Sequence, residues 1–238
     1  MTTTAQVKRA LKPLLQRNPD LALVGRWIIV KPVHHVVRGI VIGRTSQADQ
    51  FNPQWAVMPL CLCEIRTSIF LSWGSSGMPP QMYHPEKGLW RWSRPGVVEV
   101  LENLIEAVAL PKIRTVVTLD DVVQLLVERS LHMGHNGTDP FNGFVPMELA
   151  VQMARGKLDI ARHICRHWMP RFSEETYGQD DDDKAKFRRL KQLCRLLDAD
   201  DRAGMAKLLH EWEAQTVRNL KIEHLWAPTP FPLETMGR

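Results

Sequence analysis

"HHVVRGIVIGRTSQADQFNPQWAVMPLCLC" (His34–Cys63) decides the fold. Two apolar stretches rich in β-branched and aromatic residues, 34–45 and 54–64, flank a polar link from Ser46 to Pro53. Such stretches read as strands. A link this short favours antiparallel pairing, because a parallel partner needs a long crossover. Working outward, "LALVGRWIIVK" (21–31) reads as a preceding strand and "SIFLSWG" (68–74) as a following one. The connections at Pro32-Val33 and Ile65–Thr67 are shorter still. The expected sheet is therefore a four-stranded antiparallel meander. Pro59 lacks the N–H that a ladder needs, so an edge or a bulge is expected there.

Alternation along the third strand places Cys61 and Cys63 on one face with Trp55 and Val57. A zinc site would pair this C-x-C with a second Cys or His pair at suitable spacing, and none follows. The two cysteines are read as small buried residues, and no metal or cofactor is expected. The segment 36–62, with Arg38, Gly39, Trp55, Pro59 and Leu60 at the matching positions, resembles uncharacterised bacterial proteins. In these an arginine-glycine strand is followed by an aromatic strand ending in Pro-Leu. The resemblance implies a small sheet domain and brings no catalytic residues with it. Arg38, on the opposite strand face from Gly39, is the residue of this stretch with a candidate polar task.

Before the sheet, Thr2 to Arg17 reads as one amphipathic helix with Ala5, Leu11, Leu14 and Leu15 buried and Thr3 or Thr4 as cap. After it, Gly74–Trp92 is dense in Gly and Pro and reads as a loop anchored by Trp90 and Trp92. From residue 95 the period becomes helical. Val97, Val100, Leu101, Leu104, Ile105 and Val108 make one stripe, and Thr118 caps the next helix. Residues 145–168 read as two helices joined at Gly156, and 184–221 as two more turning at Asp198–Asp201. The stretches 149–168 and 193–212 superpose without a gap as two helical hairpins, fewer than the three units a solenoid needs.

The expected class is α+β. An N-terminal helix and antiparallel sheet (1–92) pack against a helical region of antiparallel hairpins (93–222), with an extended proline-containing tail (223–238).

The chain has 238 residues and a net charge of +5. That balance permits an acidic partner or nucleic acid without demanding either. No apolar h-region opens the sequence and no stretch reaches the roughly 18 apolar residues of a membrane span. A cytoplasmic, reduced protein is expected, with no membrane partner and with Cys61, Cys63, Cys165 and Cys194 as thiols. The oligomeric state is left open.

Three constellations bear on function. "SLHMGHNGTDPFNGF" (130–144) gathers His132, His135 and Asp139 in a glycine-rich loop, a set that would serve a metal-assisted hydrolase acting on nucleic acid. His163 and His167 stand one helical turn apart, but Arg162 and Arg166 flank them and no general base lies between, so they read as a polar helix face. On "DDDDKAKFRRLKQLCRLL" (180–197), Lys184, Arg188, Lys191 and Arg195 share one face and Phe187, Leu190, Cys194 and Leu197 the other. The basic face suits an acidic protein partner. The neighbouring aspartates oppose a phosphate backbone, though a basic nucleic-acid-binding protein remains the third reading.

Phosphate loops, nucleophile elbows and H-E-x-x-H are all missing, and eight tryptophans are available as interface anchors. The leading expectation is a non-enzymatic interaction module, such as an accessory subunit, adaptor or immunity-type inhibitor, docking another protein through Arg188, Lys191, Arg195 and Arg38.

Overall fold

The first apolar stretch is two strands rather than one. In the computed structural model, which describes residues 1–62, 89–132, 141, 145–178 and 180–235, β1 (Leu21–Val24) and β2 (Trp27–Val30) form a hairpin. Gly25 and Arg26 make its turn, and Gly25 has φ +64°, the left-handed value that the first central position of a primed hairpin turn requires. β3 (Val36–Arg44) and β4 (Phe51–Pro59) complete a sheet of order β1-β2-β3-β4. The antiparallel meander is as expected, with a different membership: 68–74 lies outside the described residues, and the divided first stretch supplies the fourth strand. Register sets Leu21 opposite Val30 and Ile29 opposite Gly39. Pro59 is the last residue of β4, the outer strand among the described residues.

Two compact units emerge. Among the described residues, the first gathers 1–58, 89–117 and 224–227, and the second gathers 59–62, 118–223 and 228–235.

In the first unit the N-terminal helix is broken into α1 (Thr4–Ala10) and α2 (Lys12–Arg17). Pro13 explains the break, since it has no N–H to donate and crowds the carbonyl four residues back. Thr3 caps α1 by accepting the Gln6 N–H. Val7, Leu11 and Leu14 are buried, while Ala5 is exposed and Leu15 only half-buried. Helix α3 (Val97–Leu104) runs into a π-helical turn (Ile105–Ala109) and then α4 (Leu110–Arg114). Pro111 removes an N–H from this ladder, and a wide turn is the usual accommodation. The buried positions become Leu101, Ile105, Ala109 and Ile113, four apart, and Val108 is turned out to 54% exposure.

Trp90 and Trp92 anchor the returning chain as expected. Both pack on Phe51, at 5.5 and 4.1 Å between ring centroids, and Trp92 Nε1 donates to Thr2 Oγ1.

Helix α2 has no side-chain cap of its own. Glu102 of α3 supplies one: its carboxylate accepts the Leu14 N–H at 3.2 Å and a guanidinium N–H of Arg17 at 3.0 Å. Arg17 and Asn18 also donate to Glu106, and those hydrogen bonds hold the Glu106 carboxyl below its ordinary pKa. Removing a buried acceptor strands its donors. Glu102→Ala is therefore expected to destabilise the protein by about 2 kcal/mol in urea unfolding, with Glu102→Gln recovering part of the loss.

The second unit is helical. Thr118 caps α5 (Leu119–His132) reciprocally, its Oγ1 accepting the Asp121 N–H while the Asp121 carboxylate accepts its own N–H. The hairpins α6 (Val145–Ala154) with α7 (Leu158–His167), and α9 (Asp181–Asp198) with α10 (Arg202–Leu220), turn where expected, at Gly156 and Asp200. Between them a 3₁₀ turn (Met169–Arg171) and a single turn of helix, α8 (Glu174–Tyr177), carry the chain around a corner.

Cys165 and Cys194 are joined in a disulfide. The thiols expected for this pair followed from the compartment alone, whereas the fold brings the buried faces of α7 and α9 together at these two positions. The tail is not simply extended. It forms a 3₁₀ turn at Glu223–Leu225, a bridge from Trp226 to Val33, and a helical turn, α11 (Pro232–Thr235). Phe231 is fully buried with His210 at 4.4 Å between rings, and Glu234 accepts from Phe231 N–H and pairs with His210 Nε2 at 2.8 Å.

Candidate functional site

The corner from α7 through α8 to α9 collects the groups suited to recognition. Helix α7 buries Leu158, Ala161, Ile164 and Cys165 and exposes Ile160, His163, Arg166 and His167. Pro170 cannot continue the helix, so the chain leaves it as a 3₁₀ turn, and Ser173 starts α8 with a reciprocal cap to Thr176. Asp180 then caps α9 by accepting the Asp183 N–H at 2.8 Å.

These reversals bring four rings into one run. Trp168 lies 4.5 Å from Phe172, Tyr177 stands edge-on 6.0 Å from both, and Tyr177 stacks on Phe187 at 5.1 Å. Phe187 is buried, while Trp168, Phe172 and Tyr177 are each half-exposed. An aromatic run with one flank in a core and one in water has the composition of an interface centre. The same stretch of chain exposes Arg166, Arg171, Lys191 and Arg195, and also Glu175 of α8.

The two faces expected of α9 are present. Phe187, Leu190, Cys194 and Leu197 are buried, and Arg188, Lys191 and Arg195 are exposed. Their states differ. Arg188 is spent on Glu174: its Nε donates at 2.9 Å, and this contact draws the Glu174 carboxyl below its ordinary pKa. Lys191 Nζ sits 5.6 Å above the Phe187 ring, a cation–π distance. Arg195 makes no ion pair among the described residues.

The other candidates fall elsewhere. Arg38 is buried in the middle of β3, in the first unit. His132 is the last residue of α5, and His135, Asp139 and Cys63 lie outside the described residues. Cys61 and Val57 are fully buried and Trp55 is nearly so. Among the described residues no cluster of three or more His, Cys, Asp or Glu side chains is disposed to hold a metal ion, and no helix is long and apolar enough to cross a membrane.

Sequence reasoning overlooked Trp168, Phe172 and Tyr177. Their spacings of four and five match neither a strand nor one uninterrupted helix, and only Pro170 and Gly178 hinted at the turns that unite them. Comparison of the chain with family models, curated proteins and solved structures finds no match.

Proposed function

We propose that the chain is a protein-interaction module without catalytic activity, docking an acidic segment of a partner protein on the α7–α9 corner. The observation that carries this reading is the half-exposed run Trp168–Phe172–Tyr177, on a stretch of chain that also exposes Arg166, Arg171, Lys191 and Arg195. Trp, Tyr and Arg dominate the binding energy of protein interfaces. The sign of these four side chains selects a negatively charged occupant and steers its approach. Carboxylates nearby are partly committed, Glu174 to Arg188 and Asp183 to Lys186. Cytoplasmic residence belongs to this reading. Where a reducing pool opens the Cys165–Cys194 bridge, packing and the ion pairs Arg162–Asp200 and Arg188–Glu174 are left to hold the corner.

Affinity purification of the full chain beside Trp168→Ala and Lys191→Glu tests the reading. The aromatic truncation is expected to weaken the partner by about 2 kcal/mol or more, near 30-fold in Kd, with the circular dichroism spectrum unchanged. Lys191→Glu is expected to slow association chiefly at low salt. The reading fails if both variants recover the same proteins with the same affinity as the parent, or if the parent recovers only itself.

A further inference from the structure

We propose that His163 and His167 form a two-histidine chelate on the exposed face of α7 for a late first-row divalent ion, copper(II) ahead of nickel(II) and zinc(II). Residues four apart on a helix share a face, and here the imidazoles lie side by side, 4.1 Å between ring centroids and 27° from parallel. Both side chains are exposed, so hydrated ions reach them.

The hydrogen bonding prepares the right nitrogen. His167 Nδ1 is 2.9 Å from the backbone carbonyl oxygen of His163. A carbonyl oxygen only accepts, so Nδ1 carries the proton and the lone pair of the neutral ring stays on Nε2, at the outer edge. Metal-binding histidines characteristically donate their second nitrogen to such an oxygen. Neither nitrogen of His163 is hydrogen-bonded among the described residues, which leaves its tautomer free to match. An ion about 2.0–2.1 Å from each nitrogen needs only a lean of two exposed rings that are already adjacent.

Neighbouring carboxylates offset part of the arginine charge beside the two histidines. Arg162 donates to Asp159 at 3.2 Å and to Asp200 at 3.0 Å, so two carboxylates answer its charge. Asp159 also stands four residues before His163, on the same side of the helix and fully exposed. Arg166 remains, in solvent, where salt screens it. Cys165, between the two ligands in sequence, ties the helix backbone to α9. With that bridge closed, the chelate is mounted on a fixed element. Nitrogen donors follow the Irving–Williams order, which places copper(II) first. Positions on the ion beyond the two imidazoles are left to water.

The inference stands independently of the docking reading. Titration calorimetry of the full chain with copper(II), nickel(II) and zinc(II) chlorides, disulfide intact and without thiol reductant, tests it against His163→Gln/His167→Gln. The parent is expected to bind one more equivalent of copper(II) than the double variant. Each single variant is expected to weaken that site by at least about tenfold, because the second imidazole acts as an intramolecular ligand. Electron paramagnetic resonance of the one-to-one copper complex should show two imidazole nitrogens in the parent and lose them in the double variant. Equal stoichiometry and affinity in parent and double variant, or a spectrum unaltered by the substitutions, overturns the proposal.

Discussion

Gly39→Ala is expected to destabilise the protein by about 3 kcal/mol, the upper range for overpacking a closely fitted site. Gly39 lies in β3 opposite Ile29 of β2. A Cβ built there meets the Ile28 carbonyl oxygen at 2.1 Å, with the Ile28 carbonyl carbon and the Ile29 Cα both at 3.1 Å. All three are backbone atoms of the paired strand. No side-chain rotation relieves the clash, so the ladder itself must part. Gly43→Ala, where the nearest contact is the Asn52 carbonyl oxygen at 2.9 Å, is expected to cost less. Urea unfolding of both variants checks the order. A Gly39→Ala protein within 1 kcal/mol of the parent would refute the close approach of β2 and β3 as the reason for the glycine.

Opening the Cys165–Cys194 bridge carries the second large effect. The cysteines are 29 residues apart. Closing a loop of that length in the unfolded chain corresponds to about 3.6 kcal/mol of stabilisation in the chain-entropy description. Cys165→Ala/Cys194→Ala should lose about that much, and alanine avoids placing a new hydroxyl at two buried positions. The parent treated with a phosphine reductant should fall to the same stability, while the double variant should ignore the reductant. If the parent's unfolding midpoint is indifferent to reductant, the bridge contributes nothing.

Much of the architecture could be read from local pattern. Short links at Pro32-Val33 and Ser46–Pro53 fixed antiparallel pairing, and the 3.6 period with its cap at Thr118 located the helical half. Where reading failed, one residue overruled a period. Gly25 sits inside an apolar run and folds it in two, without the Asn-Gly or Asp-Gly pair that announces most such turns. Pro111 imposes a wide turn and swaps Val108 for Ala109 on the buried face. The candidate site was half legible. The cationic face of α9 repeats at helical spacing and showed itself, whereas the aromatic run depends on three changes of direction and has no spacing of its own. The disulfide is likewise a through-space fact, since a separation of 29 residues carries no signal.

The bridge between Val33 and Trp226 has a consequence for the order in which the molecule can be made. Val33 donates to the Leu225 carbonyl and accepts from Ala227 N–H, and His34 Nδ1 donates to the Ala227 carbonyl. The N-terminal unit therefore borrows four residues, 224–227, from the far end of the chain. On the ribosome, where domains ordinarily close in the order they emerge, this one stays unfinished until nearly all of its neighbour has been translated. The first unit to appear is among the last to be sealed.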